Sequence, residues 1–202
     1  MYRALDILLA LILLVVAAVP MIFVSLIIIL EDGFPVIFKQ VRVGQNLKPF
    51  YIYKFRSMRT SVDDSRSGSV IGSDYEDKIR ARQQFKTTSV GDARITQFGK
   101  FIRKTHLDEL PQLMNVLMGD MSMVGVRPDT FAQEVDYQPD YWTIRHALKP
   151  GITGLAQVMN VPAEGMSGRT RWEVRWIERR SLKIYFTVLF RTIFKVFKRD
   201  SL

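Results

Sequence analysis

The chain has 202 residues, is 48% hydrophobic and carries a formal charge of +9, with no cysteine and only two histidines, His106 and His146. This size suits one ordinary domain with an appendage. The composition excludes a disulfide framework, thiol catalysis and thiolate metal sites, and two histidines argue against a histidine-rich zinc site. The charge points to a polyanionic partner: phospholipid headgroups, a phosphorylated substrate or nucleic acid. Any metal should be a hard cation held by carboxylate and phosphate oxygens.

Residues 5–30, LDILLALILLVVAAVPMIFVSLIIIL, are apolar except for Asp6 and Ser25, and the run is long enough to cross a bilayer. It is too long for a cleaved signal peptide, and no small-residue cleavage site follows it. Pro20 removes a backbone donor in the middle, so a helix break or kink is expected there. Arg3 and Asp6 lie three apart where the chain enters the membrane and are expected to pair on one helical face. A chain turning at Pro20 can enter one leaflet and leave on the same side. Each arm of roughly 10 to 15 residues would reach about 15 to 22 Å, short of the ~30 Å hydrocarbon core. On the residues alone, spanning and re-entrant readings both stand.

After Glu31-Asp32-Gly33 the pattern becomes globular, giving a membrane segment over 1–32, a catalytic-type domain over 33–180 and a C-terminal helix over 181–202. PVIFKQVRVG and KPFYIYKFRSMR are short β-branched and aromatic runs around Gly44-Gln45-Asn46, a hairpin pattern. Residues 60–93 are polar and read as a mobile excursion with one short helix, YEDKIRARQQF. ITQFGKFIRK and DELPQLMNVLMG show helical spacing, with Gly119 as the stop. MSMVGVRPD reads as a short strand ending in a turn, and KPGITGLAQV as a glycine-punctuated loop leading into a strand. In LKIYFTVLFRTIFKVFKRD, Lys183, Thr187, Arg191, Lys195 and Arg199 recur every fourth position. They make a narrow basic stripe on an aromatic helix, which suits a helix lying in the membrane interface.

THLDELPQL (105–113) sets Asp108 beside Glu109 just before Pro111. Because proline is tolerated only in a first turn, both acids are expected at or just inside a helix N-terminus, where carboxylates commonly cap orphan N–H groups. Thr105 with Asp108 even resembles a loose capping box. The flanking cations offer a second reading. Lys54 and Arg56 share a strand face by the two-residue period; Arg94, Arg103 and Lys104 precede the acids; Arg127 and Lys149 follow. Singly, each reads as a solvated surface charge. Around a carboxylate pair, such a ring suits phosphoryl chemistry, with cations holding phosphate and a carboxylate attacking phosphorus or binding a metal.

FRSM, TQFGKFIRKTHLDELPQLMNVLMGDMSMVGVRPD and KPGITGLAQV together resemble the bacterial sugar transferases, the monotopic phosphoglycosyl transferases. The resemblance runs from about residue 3 to about 160, interrupted at 60–93. It implies a small membrane-associated α/β (α+β) fold with a re-entrant N-terminal helix broken at Pro20, amphipathic interfacial helices and short strands. It also implies transfer of a phosphosugar from a UDP-sugar to polyprenyl phosphate, with UMP released. Asp108 would be the nucleophile, Glu109 its partner and Mg2+ would sit near Asp108. Lys54, Arg56, Arg103, Arg127 and Gln157 would lie on the phosphate side. The implied location is the bacterial inner membrane, monotopic and facing the cytoplasm, with no nucleic-acid partner and with homo-oligomerisation left open.

The chain departs from the family pattern at Val19-Pro20, where Ser-Pro is usual, and at Gly125-Val126-Arg127-Pro128, where Gly-Pro-Arg-Pro is usual. It departs again after Val158, where an Asn-Gly-Arg-like continuation is missing, and at Tyr185, a place often held by Asp. Two other classes compete with this reading. A membrane-anchored basic module binding anionic lipid or nucleic acid accounts for the charge and the tail but not for two acids in a cationic setting. A glycoside hydrolase also uses two carboxylates, but they flank the sugar at about 5 Å or more and usually come from separate segments.

Overall fold

The computed structural model describes residues 2–59, 71–72, 74–84, 92–159 and 166–198. Most of the expected polar excursion, the 160–165 stretch and Arg199 therefore lie outside the described residues. Helices and short strands mix, in the order α1 (Tyr2–Asp32), β1 (Ile37–Val43), β2 (Pro49–Phe55), α2 (Tyr75–Gln84), α3 (Gln97–Lys104) and α4 (Gln112–Met118). There follow β3 (Ser122–Val124), α5 (Pro139–Arg145), β4 (Gly151–Thr153), α6 (Leu155–Val158), α7 (Met166–Arg179) and α8 (Leu182–Lys198).

The apolar N-terminal run forms one helix. It buries Ala10, Ala17, Val24 and Ile28 against the domain and leaves large side chains such as Leu11, Val15, Phe23 and Leu30 exposed. This inverts the pattern of a soluble surface helix, where the large aliphatics face inward. The two arms expected on either side of Pro20 are a single element, because proline deletes one N–H and the helix runs on through it to Asp32. Ser25, the lone hydroxyl in the second half, is satisfied within the helix by donating to the Met21 carbonyl at 2.8 Å.

Both ends of α1 are held by the same folded unit. At the start, Arg3 donates to the carbonyls of Val116 and Leu117, at the C-terminal end of α4, where a cation also complements the helix dipole. Asp6 is buried and accepts from the Ser122 hydroxyl (2.8 Å), the Met123 N–H (2.9 Å) and the Tyr185 hydroxyl (2.7 Å). The expected Arg3–Asp6 pair therefore does not form: each side chain finds a partner over a hundred residues away. At the other end, the Glu31 carboxylate accepts from the Phe98 N–H, and Arg56 donates to the carbonyls of Asp32 and Gly33. Tyr185 thus has a defined role where the family pattern often carries Asp.

β1 and β2 form the expected antiparallel hairpin, registered from Ile37 opposite Phe55 to Val43 opposite Pro49. β3 and β4 form a separate parallel pair, Ser122 beside Gly151 and Val124 beside Thr153. Here the sequence expectation is corrected: in KPGITGLAQV the strand is Gly151–Thr153, and Leu155–Val158 is a helical turn. Glycine is required at this crossing, since a Cβ on Gly151 would stand 2.0 Å from the Gly125 nitrogen.

α4 is fixed by a buried amide. Asn115 Oδ1 accepts from the Tyr53 N–H at 3.0 Å, and its Nδ2 donates to the Tyr51 carbonyl at 2.7 Å. Gly119 ends the helix in the left-handed conformation (φ 97°), as expected. α8 buries Tyr185 and Val188 and exposes Phe186, Phe190 and Phe194 beside Lys183, Thr187 and Arg191. Of the predicted stripe, Lys195 is committed to the Gln157 carbonyl.

Asp6→Ala should lower the unfolding free energy by about 3 kcal/mol, because buried donors lose a charged acceptor. Tyr185→Phe should cost about 1 to 2 kcal/mol. Denaturant unfolding of the detergent-solubilised protein measures both; values within about 0.5 kcal/mol of the parent would remove Asp6 from the anchoring of α1.

Candidate active site

Asp108 and Glu109 lie on a single 3-10 turn, Leu107–Glu109, between α3 and α4. His106 enters it in the left-handed conformation (φ 57°), at a cost of about 1 kcal/mol for a non-glycine residue. The capping explanation of the acids fails. Thr105 closes α3 instead, its hydroxyl donating back to the Phe101 carbonyl at 2.8 Å. Asp108 accepts no hydrogen bond among the described residues.

The two carboxylates have different surroundings. Glu109 receives Lys54 Nζ at 2.6 Å, and Arg127 Nη2 stands at 3.7 Å from the same oxygen. Burial pushes the Glu109 carboxyl up, but Lys54 and Arg127 outweigh it and hold the group down at about 2. Asp108 has no such direct partner. Burial, joined by the charge of Glu109, pushes it up to about 6 against the pull of Lys54, Arg103 and Arg127. The cations only partly offset burial, and Asp108 is ionised above about 6. Burial draws the Lys54 ammonium below its usual value, with Arg127 adding to this and Glu109 opposing it.

Of the expected phosphate-side residues, Lys54, Arg103 and Arg127 gather around the acids. Arg127 is 47% exposed, so its guanidinium is free to meet a ligand. Arg56 does not join them. β2 ends at Phe55, and the next side chain turns to the C-terminal end of α1, where it ion-pairs with Asp32 at 3.2 Å. Gln157 and Arg127 together line a second small cavity with Gly125 and Gly154, and the buried Gln157 Oε1 has no hydrogen-bond partner among the described residues. Lys149 faces the far end of α4, beside Gly119. Arg94 bonds to Asp92.

Two features were not anticipated. Arg42 lines the same cavity as Lys54, Glu109 and Arg127. Burial and Arg127 draw its pKa down to about 10, and its Nε is buried without a hydrogen-bond partner among the described residues. The signal was present: in the hairpin register Arg42 opposes Phe50 and Gln40 opposes Ile52, so Arg42 shares the face of Lys54 by alternation. The second feature is a buried ionic network. Arg145 pairs with Asp129 at 2.8 Å and Glu173 at 3.2 Å, donates to the Arg127 carbonyl, and so holds the backbone that presents Arg127. No short-range pattern announces it, because its members come from three separate segments.

The donor set bears on a magnesium ion. Among the described residues no cluster of three metal-type ligands exists. Asp108 offers one carboxylate without a partner, which fits a Mg2+ held by a single protein carboxylate plus ligand phosphate oxygens.

A family model described as bacterial sugar transferase matches residues 1–199. The chain is 35% identical over 202 residues to UDP-glucose:undecaprenyl-phosphate glucose-1-phosphate transferase of Escherichia coli K12, covering 96% of this chain and 40% of that protein. It is 36% identical over 196 residues to the UDP-N-acetylgalactosamine-undecaprenyl-phosphate N-acetylgalactosaminephosphotransferase of Aeromonas hydrophila, covering 95% and 42%. With the exopolysaccharide production protein PSS of Rhizobium leguminosarum bv. phaseoli it shares 38% identity over 190 residues, covering 91% and 84%. The chain thus spans less than half of the first two relatives and most of the third.

The two arginine classes should separate by stability. Arg56→Ala should destabilise the protein by about 2 kcal/mol, having removed a buried charged donor from two partly buried carbonyls and from the Asp32 carboxylate. Arg127→Ala should change stability by less than about 0.5 kcal/mol, as expected for an exposed charge. Thermal unfolding of the two variants checks this; equal losses would contradict the division.

Proposed function

Because the chain belongs to the bacterial sugar transferase family, we propose that it is a membrane enzyme moving a phosphosugar from a UDP-sugar to polyprenyl phosphate, with UMP released. The observation that carries this reading is the asymmetry of the dyad: Glu109 is committed to Lys54 at 2.6 Å, whereas Asp108 is left without a partner. The Escherichia coli and Aeromonas hydrophila relatives are named as sugar-phosphate transferases using undecaprenyl phosphate, which supports the same reading.

In the proposed reaction an Asp108 carboxylate oxygen forms a bond to the β-phosphorus. The bond from that phosphorus to the bridging oxygen breaks, and UMP leaves with the electron pair. A polyprenyl phosphate oxygen then attacks the same phosphorus and displaces Asp108. Asp108 suits the nucleophile's role because its raised pKa makes it more basic than Glu109, while it remains ionised at neutral pH. Glu109 holds Lys54 and Arg127 in place, and Arg103, Arg127, Lys54 and Arg42 hold the diphosphate oxygens. When bound, Mg2+ near Asp108 supplies further neutralisation of phosphate charge. Splitting the transfer suits two substrates, one soluble and the other fixed in the bilayer.

We further propose that α1 enters a single leaflet, with both ends and the domain on the cytoplasmic side. The anchoring of Asp6 and of Asp32 to one polar domain supports it. A spanning helix would place those ends on opposite sides of a ~30 Å core. A cysteine at residue 2, labelled in intact cells with an impermeant reagent, should stay unmodified; ready labelling would mean that α1 spans.

The chemistry is tested by incubating the protein with labelled UDP-sugar and Mg2+, without lipid acceptor, and quenching. A phosphosugar adduct on the peptide containing Asp108 is expected. Asp108→Asn should abolish UMP release, Glu109→Gln should leave slow turnover, and Arg103→Ala or Arg127→Ala should each lower kcat/KM by about tenfold or more. No adduct, together with kinetics that require both substrates bound at once, would replace the covalent route with direct transfer.

A further inference from the structure

A second cationic cavity, of about 180 Å³, lies at the start of α1, away from the dyad. Arg3, Lys149 and Arg180 line it, with one carboxylate, Asp6. That carboxylate is already occupied by Ser122, Met123 and Tyr185. Arg3 and Lys149 converge: the Arg3 Nη2 and Lys149 Nζ stand 3.4 and 3.5 Å from where a Cβ on Gly119 would be. Lys149 has no hydrogen-bond or ion-pair partner among the described residues. Two cations brought together without an intervening anion repel each other, and an anionic ligand between them turns that cost into binding.

The position of the cavity says which anion. It sits at the corner where both apolar helices begin, since Asp6 of α1 holds Tyr185 of α8 and the Tyr2 and Tyr185 rings are 5.7 Å apart. Beyond this corner α1 exposes Leu8 and Leu11, and α8 exposes Phe186 and Phe190. The wall includes Tyr2, over which Arg180 lies at 5.7 Å, and Trp176. Amphipathic aromatics beside cations at the edge of an apolar surface mark headgroup depth.

We propose that this cavity binds the phosphate of an anionic phospholipid headgroup. The ligand is not a reactant. Arg3 grips the C-terminal end of α4 while the dyad precedes its N-terminal end, a separation of roughly 10 Å for a seven-residue helix. The bound lipid instead fixes the corner from which α1 and α8 enter the membrane. The inference rests on the membrane placement of these helices and not on the transfer reaction.

The test uses the full chain in detergent, titrated with dioctanoyl phosphatidylglycerol, dioctanoyl phosphatidylcholine or inorganic phosphate while the unfolding midpoint is followed. Phosphatidylglycerol should raise the midpoint saturably, as a ligand specific to the folded state does. Lys149→Gln and Arg180→Gln should each weaken that binding by about tenfold, and Lys100→Gln, an exposed charge on α3, should leave it unchanged. Arg180 is exposed, so its variant tests the site without endangering the fold. Equal stabilisation by phosphatidylcholine would show that headgroup charge is not read. Equal potency of inorganic phosphate would make the site one for soluble anions. Either result, or unchanged binding in both variants, overturns the proposal. UMP release is not the readout, so loss of the transferase reading would leave this result standing.

Discussion

The meeting of Lys54 with Glu109 depends on the amide of Asn115. Its side chain takes both a donor and an acceptor from the edge of β2, at Tyr53 and Tyr51. Its own carbonyl accepts from the N–H groups of Gly119 and Asp120, closing the helix. One residue therefore sets the register of α4 against β2 and ends the helix. Since Lys54 follows Tyr53 and the dyad precedes α4, that register brings Lys54 to Glu109. An amide is suited to this because it donates and accepts at once. A carboxylate could not donate to Tyr51, and an aliphatic would leave two partly buried backbone groups of β2 without a partner. The same short helix ends under Arg3, so α1 and the turn that carries Asp108 are fixed to opposite ends of one element.

Much of this was legible from local pattern. The hairpin, α3, the stop at Gly119 and the neighbouring acids follow from alternation, helical spacing and turn chemistry, which act over a few residues. What was illegible is long-range. Asp6 reads as half of a local pair with Arg3, yet its partners are at Ser122, Met123 and Tyr185. A buried carboxylate takes the arrangement that supplies most donors, and three donors outweigh one neighbouring guanidinium. Arg56 fails for a related reason: strand parity holds only while the strand lasts, and β2 stops one residue earlier. Arg42 was readable in principle, but only once the hairpin register was fixed.

The glycines of the two loops act with the buried ions. Gly125 and Gly151 let two backbones meet where a Cβ would stand 2.0 Å from a nitrogen. This contact brings the Arg127 segment against the strand leading to Gln157. The Arg145–Asp129–Glu173 network then secures the same segment from behind. Burying three charges is not an efficient source of stability, since desolvation offsets most of the attraction. Its effect here is positional: it holds the Arg127 backbone while leaving the guanidinium 47% exposed.

The basic excess of the chain is thus distributed unevenly. In the network behind Arg127, Arg145 and Arg169 face Asp129 and Glu173, so that interior is balanced. Around the dyad, Arg42, Lys54, Arg103 and Arg127 face two carboxylates, one of them already neutralised by Lys54. Positive charge without a protein counter-ion raises the free energy of the empty site and lowers it only when anions arrive. The fold resists that repulsion with groups that do not themselves meet the ligand, chiefly Asn115 and Arg145. A cluster of like charges therefore requires a neutral, hydrogen-bonded frame around it, which Asn115 supplies on the side of β2 and the Arg145 network supplies behind Arg127.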